Sequence, residues 1–265
     1  QPGVKDWVRF RDGFRMDRIY SQMGYAFAKH IFGIKGSYAV DPQKGAVVMT
    51  LTTQGDAPIH YTLDGSEPTA ASPRYTGPVE IGKSARFRAT ALREGGENAS
   101  YSREFAFSKS TGRPAVLNTK PNDSYTFEGA SLLVDGYHSR PVFTSGAWLG
   151  YLDEPLDVTI DMGGEQSYRS VELETLAEKG DWIFPPSSVT VWVSDNGTDF
   201  TEVASVTVPE AKAGDADGIG RYRMQFPETS ARYLKVVAQN AAAIPAWHPG
   251  AGSKGFLFVD EIVVE

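Results

Sequence analysis

The chain has 265 residues, a formal net charge of −7 at pH 7 and no cysteine. A hydrophobic fraction of 41% is enough for at least one substantial core, and the length favours two domains over one. The lack of cysteine excludes a disulfide framework, a thiolate metal site and a cysteine nucleophile. No apolar run approaches the ~18 residues that span a bilayer, so no membrane insertion is expected.

The charge is unevenly distributed along the chain. Residues 114–265 contain 10 basic and 22 acidic residues, a balance of −12. An acidic surface repels phosphate backbones and anionic lipid headgroups. Nucleic acid and anionic membranes are therefore not expected as partners. The N-terminus has no apolar core of the signal-peptide type, so either the protein is cytosolic or a targeting segment lies upstream.

The first predicted element is a helix over residues 6–32, within a helical segment 1–36. Its aromatic and apolar residues recur at spacings of three and four, and Asp6 and Gly33 suit its two ends. The apolar face is broader than a solvated helix needs, which predicts a large partner. We expect this helix to be the last helix of a domain lying upstream.

From residue 37 onward the pattern changes to short strands of period two, separated by Gly, Pro, Asn and Asp. Residues 37–113 are predicted to form a small immunoglobulin-like sandwich, with strands at 46–53, 58–64, 85–92 and 102–108. The glycine and prolines of residues 109–123 indicate a linker.

Residues 114–265 have enough strands for a jelly-roll sandwich. These strands are predicted at 156–163, 170–177, 188–195, 201–208, 221–226, 231–239 and 256–265. Asn196-Gly197 between two of them predicts a hairpin. The fold class is therefore mainly β: an N-terminal helix, an immunoglobulin-like sandwich and a jelly-roll sandwich.

The stretch IHYTLDGSEPT (59–69) ends in a turn that has more polar side chains than a turn needs. Ile59, Tyr61 and Leu63 alternate with polar residues and are expected to face a core. Asp64-Gly65 then supplies the turn, with Gly65 at positive φ. Turn chemistry accounts for these residues without a ligand, and a catalytic carboxylate pair is not favoured, because nothing nearby would raise a pKa.

Two resemblances to known domain families add information on fold and function that residue spacing alone does not provide. Residues 38–108, which contain IHYTLDGSEPT, SPRYTGPVEI (72–81) and ARFRATAL (85–92), resemble the C-terminal immunoglobulin-like domain of chitobiases and β-hexosaminidases. Residues 114–265 resemble a discoidin domain, also called coagulation factor V/VIII type C, the fold shared with carbohydrate-binding module family 32. The motifs carrying that second resemblance are Val134-Asp135-Gly136, Trp148, VTVWVSDNGTDFTEVA (189–204), ARYLKVVA (231–238) and FVDEIVVE (258–265).

Together the two modules look like the C-terminal end of a bacterial glycoside hydrolase family 20 β-N-acetylhexosaminidase. The resemblance implies an upstream catalytic barrel in the same polypeptide and periplasmic, cell-surface or secreted work on glycans. The His-x-Gly-x-Asp-Glu motif of that family is absent. The four histidines are far apart, and neighbours such as Asp260 and Glu261 point to opposite faces of a strand. No catalytic residue is therefore predicted, and whether the parent protein is an enzyme rests on the resemblance alone.

The discoidin resemblance also implies a structural Ca²⁺ site. In such folds an Asp in the first Asp-Gly loop and a Glu in the last strand hold the ion together with backbone carbonyls, and Asp135 and Glu261 occupy those places. The alternative is an ordinary Asp-Gly turn and a solvated strand carboxylate.

Loop aromatics predict a sugar-binding face. Sugar C–H faces stack on flat rings, while sugar hydroxyls need a few fixed polar groups. Trp182 and Phe184 lie in one proline-bound loop, and Trp247 and His248 lie in another. The alternative is that these side chains cap the sandwich or pack on a neighbouring domain.

Three functions remain open from the sequence. The favoured one is a non-catalytic accessory region of a glycoside hydrolase, with a spacer and a carbohydrate-binding module that contacts glycans. The second is a purely structural pair of modules that brace the catalytic barrel. The third, recognition of a membrane or protein by discoidin loops, fits poorly with an acidic module.

Overall fold

The computed structural model describes residues 33–53, 57–93 and 98–265. In these ranges the regular elements are strands and four short 3₁₀ helices, which confirms the mainly β fold class. None of the helices there is long and apolar enough to cross a membrane. The helix predicted over residues 6–32 lies outside the described residues.

The chain divides into two compact units. The second unit contains Ala39–Val48, Glu80–Ser84 and Glu104–Glu265, and the first contains the remaining described residues. The domain boundaries expected from the sequence, 37–113 and 114–265, stay a prediction.

In the described residues before 106 there are six strands, and they form two three-stranded sheets with the orders β1-β2-β4 and β3-β5-β6. They are β1 (Lys35–Asp41), β2 (Ala46–Thr52), β3 (Ile59–Thr62), β4 (Val79–Ile81), β5 (Ala85–Ala91) and β6 (Ala99–Phe105). The strands expected at 46–53, 58–64 and 85–92 are therefore present, whereas β1 and β4 were not predicted.

The alternation expected in β3 holds only as far as the strand does. Ile59 is buried, and the ring of Tyr61 stacks on Phe87 with the centroids 5.8 Å apart. Leu63, expected to face a core, is 40% exposed. The strand ends at Thr62, so the two-residue period no longer decides where Leu63 points.

The second unit contains one network of seven strands, in the order β11-β10-β12-β9-β13-β8, with β7 also paired to β9. These strands are β7 (Ala115–Leu117), β8 (Leu149–Tyr151), β9 (Leu156–Ala177), β10 (Ser188–Ser194), β11 (Thr201–Thr207), β12 (Gly218–Gln239) and β13 (Leu257–Val264). β10 and β11 form the hairpin predicted around Asn196-Gly197, and Gly197 has a φ of +77°.

Two pairs of predicted strands are in fact two long strands, β9 and β12, of 22 residues each. They stay paired along most of their length, with register shifts between Gln225 and Thr229 and between Ala231 and Tyr233. β9 pairs with β7 in its first half and with β13 in its second half. A strand that bends at a bulge can pass from one sheet of a sandwich to the other without ending.

The core of the second unit follows from strand alternation. From Leu156 to Met162 in β9 every second side chain is fully buried, and those between are partly exposed. The neighbouring strands β10 and β12 contribute Val189, Val191, Leu234 and Val236, which are also 0% exposed. Trp148 and Tyr151 are likewise 0% exposed. This packing provides a firm base for the loops at the strand ends.

Candidate functional site

Several loops of the second unit emerge at one end of its long strands. Ala177, the last residue of β9, pairs with Gly218, the first residue of β12, and Leu176 pairs with Phe258 near the start of β13. The connections after β9, before β12 and before β13 therefore share this end. We call it the loop face; it carries all four residues predicted to bind sugar.

Trp182 follows a short 3₁₀ helix, η4 (Lys179–Asp181), and has left-handed backbone angles, with φ 65° and ψ 24°. Its N–H donates to the Lys179 carbonyl at 3.0 Å, and its own carbonyl accepts from the Phe256 N–H at 2.8 Å. The side chain is 42% exposed. The backbone of Trp182 is thus fixed on both sides while much of its ring faces solvent.

Trp247 is the second exposed aromatic residue of the loop face. Its ring is 39% exposed, and its Nε1–H donates to the carbonyl of Ala211 at 2.9 Å. Ala211 lies in the connection before β12, so this bond ties two loops together and sets the ring orientation.

His248 lies beneath the two tryptophans and is buried. Its Nδ1 accepts a hydrogen bond from the Gly250 N–H at 3.0 Å. Its Nε2 lies 2.9 Å from the Lys179 carbonyl, which can only accept, so Nε2 carries the proton. The imidazole centroid is 6.1 Å from that of Trp182 and 5.6 Å from that of Trp247. His248 therefore joins the two loops as a neutral ring with both nitrogens used.

Phe184 completes this cluster from below. It is 1% exposed, and its ring centroid lies 5.5 Å from that of His248 and 6.3 Å from that of Trp247. A side chain with no free surface cannot stack on a sugar. The structure brings the four predicted residues together, but it leaves ring surface for a ligand mainly on Trp182 and Trp247.

Acidic side chains lie beside Trp182. Burial and the neighbouring carboxylate of Asp181 raise the pKa of Glu178. The Lys179 ammonium forms an ion pair with Asp217, and this pairing lowers the pKa of Asp217. The one lysine of η4 is thus neutralised, and the edge of the loop face remains acidic and rich in hydrogen-bond acceptors.

Asp135 and Glu261, the residues predicted to bind calcium, are also close together in the structure. Both are at most 2% exposed. The Gly136 N–H donates to Glu261 Oε2 at 3.2 Å, and the Tyr137 N–H donates to Asp135 Oδ1 at 2.7 Å. The solvated strand carboxylate considered as an alternative for Glu261 is therefore wrong.

Asp260 lies in the same buried region, contrary to the sequence expectation. The register of β13 against β9 shifts between Val259 and Ile262, so Asp260 and Glu261 do not follow simple alternation and both are buried. The Ser139 N–H donates to Asp260 Oδ2 at 2.7 Å. The bulge turns both carboxylates toward the backbone of the loop that follows Asp135.

The electrostatics of these carboxylates suit a hard cation. Burial, followed by the charges of Asp135 and Asp260, raises the pKa of Glu261 well above its usual range, and burial also raises the pKa of Asp260. Glu261 Oε1 is buried without a hydrogen-bond partner. No group of three or more His, Asp or Glu side chains within residues 33–53, 57–93 and 98–265 converges on a metal position. Two buried carboxylates, one of them with an oxygen that has no partner, are the kind of hard oxygen ligand that Ca²⁺ takes.

One charge cluster around a buried carboxylate was not anticipated from the sequence. Glu174, in β9, is 0% exposed and forms ion pairs with Arg221 and His138. His138 Nδ1 lies 3.0 Å from Glu174 Oε2, although the two atoms are not aligned as a hydrogen bond. Sequence reasoning missed it because these residues meet only across strands.

These features define the second unit as a discoidin-like β-sandwich module. Two family models match the chain: residues 38–103 match the chitobiase/beta-hexosaminidase C-terminal domain, and residues 118–254 match the F5/8 type C domain. The second match covers more than half of the sequence. The chain therefore belongs to the F5/8 type C domain family.

Several solved structures are similar in fold. One is chitosan-binding module 1 of a chitosanase/glucanase from Paenibacillus sp. IK-5, at 18% identity over 60% of this chain and 98% of that chain, with a TM-score of 0.39. Another is CpGH89CBM32-5 from Clostridium perfringens, in complex with GalNAc-beta-1,3-galactose, at 16% identity over 57% and 94%, with a TM-score of 0.39. A third is CBM32-3 from a family 31 glycoside hydrolase of Clostridium perfringens, at 16% identity over 60% and 94%, with a TM-score of 0.39. Comparison with the curated proteins gives no match.

Proposed function

We propose that the second unit binds glycans through Trp182 and Trp247 on the loop face. The observation that carries this proposal is the pair of exposed indole rings set on a buried base of Phe184 and His248. A rigid aromatic platform loses little conformational entropy on binding, which is what weak stacking on sugar C–H faces requires. The F5/8 type C membership agrees with this reading.

Polar groups beside the rings supply the second half of sugar recognition. Asp181 and Glu178 lie next to Trp182 and offer carboxylate oxygens, which accept hydrogen bonds from sugar hydroxyls. An acidic edge suits neutral or cationic sugars better than uronates or sulfated sugars, because like charges repel.

We further propose that the chain is the accessory region of a β-N-acetylhexosaminidase-like glycoside hydrolase. The chitobiase/beta-hexosaminidase C-terminal match over residues 38–103 supports this context. The first unit then serves as a spacer, an upstream catalytic domain belongs to the same polypeptide, and the protein works in the periplasm, at the cell surface or outside the cell.

The binding proposal is tested by a glycan array followed by titration calorimetry with galactose- and N-acetylglucosamine-terminated sugars. Trp182→Ala and Trp247→Ala are each expected to weaken binding about tenfold or more, since each removes a stacking ring. The matched control is Val116→Ala, which shortens a side chain that is 62% exposed on β7 and is expected to leave affinity unchanged.

Two results would contradict the proposal. One is the absence of any glycan binding by the wild-type chain. The other is a loss of thermal stability in both tryptophan variants with unchanged affinity, which would favour the structural alternative in which the modules only brace a catalytic domain.

We also propose that Asp135 and Glu261 hold a structural Ca²⁺. Calcium would compensate two buried carboxylates that otherwise repel each other, and it would satisfy the unpaired Oε1 of Glu261. Removing the ion with EDTA should lower the Tm, and adding Ca²⁺ should restore it.

Glu261→Gln tests the ligand assignment directly. This variant is expected to lose the Ca²⁺-dependent rise in Tm, because an amide lacks the charge that binds the ion. Glu202→Gln, at an exposed position of β11, should respond to Ca²⁺ as the wild type does. A Tm that is the same in EDTA and in Ca²⁺ for the wild type would disprove the site.

A further inference from the structure

Two non-glycine residues in residues 33–53, 57–93 and 98–265 have a positive φ: Phe127 at 40° and Trp182 at 65°. Both are large aromatic residues, and both are exposed, Phe127 by 46% and Trp182 by 42%. A bulky residue with positive φ is a backbone outlier, and such outliers concentrate at functional sites. Trp182 is part of the proposed sugar site, so Phe127 needs an explanation of its own.

The turn around Phe127 is one in which glycine would be favoured. The Gly129 N–H donates to the Thr126 carbonyl at 2.8 Å, closing a four-residue turn. Its central residues are Phe127, with φ 40°, and Glu128, with φ −80° and ψ 5°. This sign pattern is that of a type II′ turn, which takes glycine at the first central position. A phenylalanine is therefore strained there, and its ring nevertheless points into solvent.

Phe127 is linked to the backbone of Trp182 through two other aromatic residues. Its ring centroid lies 6.4 Å from that of Tyr125, and Tyr125 lies 5.5 Å from Phe256. The N–H of Phe256 donates to the carbonyl of Trp182. The two aromatic residues with positive φ are thus connected through Tyr125 and Phe256, by ring contacts as far as Phe256 and by a backbone hydrogen bond from there to Trp182.

A second exposed apolar side chain lies near Phe127. Val142 is 48% exposed, and the next residue, Phe143, packs on Tyr125 with the centroids 6.2 Å apart. The ring of Phe127 also borders Gly146, where a Cβ would lie 3.6 Å from it. Phe127 and Val142 therefore project from two loops that share one base.

We propose that Phe127 and Val142 form a second apolar subsite, so that the loop face binds an extended glycan chain of several sugar units. One end of the chain stacks on Trp182 and Trp247, and a later sugar unit contacts Phe127. This inference rests on the proposed glycan-binding function and adds the length of the ligand to it.

A glycan chain fits this surface better than an anionic membrane does. The two aromatic platforms are separate, with the carboxylates of Asp181 and Glu178 beside one and that of Glu128 beside the other. A polysaccharide presents an apolar face on each sugar ring with hydroxyls around it, which matches separate rings with acceptors near them. Residues 114–265 carry 22 acidic against 10 basic residues, and this balance repels an anionic lipid surface.

The test is a titration series with N-acetylglucosamine oligomers from the monosaccharide to the hexasaccharide, and with matched galactose oligomers. The wild-type chain should gain about three- to tenfold in affinity once the oligomer is long enough to reach Phe127. Phe127→Gly should lose this gain while keeping the affinity for the shortest sugar. Val116→Ala should retain the whole length dependence.

The same glycine variant separates binding from packing. Glycine suits the positive φ of this turn, so Phe127→Gly should leave the Tm unchanged or raise it. A clear fall in Tm would mean that the ring is kept for packing, and this would overturn the proposal. Phe127→Asn, which tolerates positive φ and also removes the ring, should show the same loss of length dependence.

The remaining outcomes separate the two proposals. Binding of short sugars without any length dependence would overturn the second subsite and leave the glycan-binding function intact. Absence of binding to every oligomer would overturn both. Co-sedimentation with phosphatidylserine vesicles that disappears in Phe127→Gly would assign the ring to a membrane instead and would also overturn the proposal.

Discussion

Two turns of this protein are rich in side chains that can bind ligands, and they differ in what those side chains do. The turn after β3 has an Asp, a Ser and a Glu within four residues. Asp64 Oδ1 accepts from both the N–H and the hydroxyl of Ser66 at 2.9 and 2.6 Å. Glu67 forms an ion pair with Arg88 and accepts from Thr90.

The turn at η4 is different. Its backbone bonds are also made, but the ring of Trp182 is left exposed on a strained backbone. The exposed ring of Trp247 completes the pair from another loop, with buried His248 between them. Here the unused surface is aromatic, and it rests on a buried base.

This difference distinguishes scaffold from candidate site. The polar groups of the first turn bond to each other and have a function within the fold. On the loop face large apolar area is exposed where burial would be favourable, and strain is retained where glycine would remove it. Polar groups that bond to one another indicate a structural role. An apolar ring that stays exposed is what a ligand-binding site requires.

The largest expected effect comes from the buried base of the loop face. Phe184→Ala should lower the free energy of unfolding by about 3–5 kcal/mol, because it leaves a cavity under His248 and Trp247. Urea denaturation measures this loss, and Trp182→Ala is the matched comparison, with an expected loss of about 1 kcal/mol or less. Equal losses in the two variants would break the distinction between a buried base and an exposed platform.

An intermediate effect is expected at the charge cluster around the buried carboxylate of Glu174. The carboxylate of Glu174 raises the pKa of His138 above its ordinary value of 6.5, against the effect of burial. Burial opposes ionisation of Glu174, but His138 and Arg221 hold the pKa of Glu174 below its ordinary value of 4.5. The stabilisation from His138 is therefore complete below pH 6.5 and lost as the pH rises through the folded pKa. The stabilisation from Glu174 is present above pH 4.5 and is lost as the pH falls through the pKa of Glu174 in the folded protein.

The variant His138→Gln tests the direction of this dependence of stability on pH. The wild type should be more stable than the variant by about 1–3 kcal/mol between pH 5 and 6, and the difference should shrink toward pH 8.5. Chemical denaturation across this range gives the profile, with His60→Gln as a histidine control in the first unit. A difference that grows with pH would contradict the pairing, and a change in glycan affinity would place His138 in the binding site.

The smallest effect is expected at the turn after β3. Asp64→Ala should lower the Tm by no more than a few degrees, because the side chain is exposed and only Ser66 loses its partner. Asp64→Asn, which keeps an acceptor oxygen, should retain most of the stability. Neither variant should change glycan affinity, and a loss of affinity would show that the turn is more than scaffold.

The sequence predicted the parts of the fold that depend on local patterning. Period-two alternation placed most strands, and Asn196-Gly197 marked the hairpin between β10 and β11. Two of the strands missed from the sequence, β7 and β8, have three residues each, too few for alternation to show. The merging of predicted strands into β9 and β12 was also missed, because a bend that keeps cross-strand pairing looks like a loop in the sequence.

The candidate site was likewise predictable from the sequence only where it depends on local composition. Aromatic residues in proline-bound loops identified Trp182 and Trp247 as well as Phe184 and His248, because loop composition is a local property. That Phe184 lies beneath the surface depends on how three loops pack together.

By itself the sequence determined the mainly β architecture, the acidic character of residues 114–265 and the residue types available to a site. The tertiary structure alone decided which rings stay exposed, how the bulge in β13 buries both Asp260 and Glu261, and that Phe127 packs on Tyr125. The physical reason is that alternation and turn preference act between near neighbours in the chain. Exposure, the pKa of a buried carboxylate and the convergence of loops depend on contacts between residues that are far apart in the sequence.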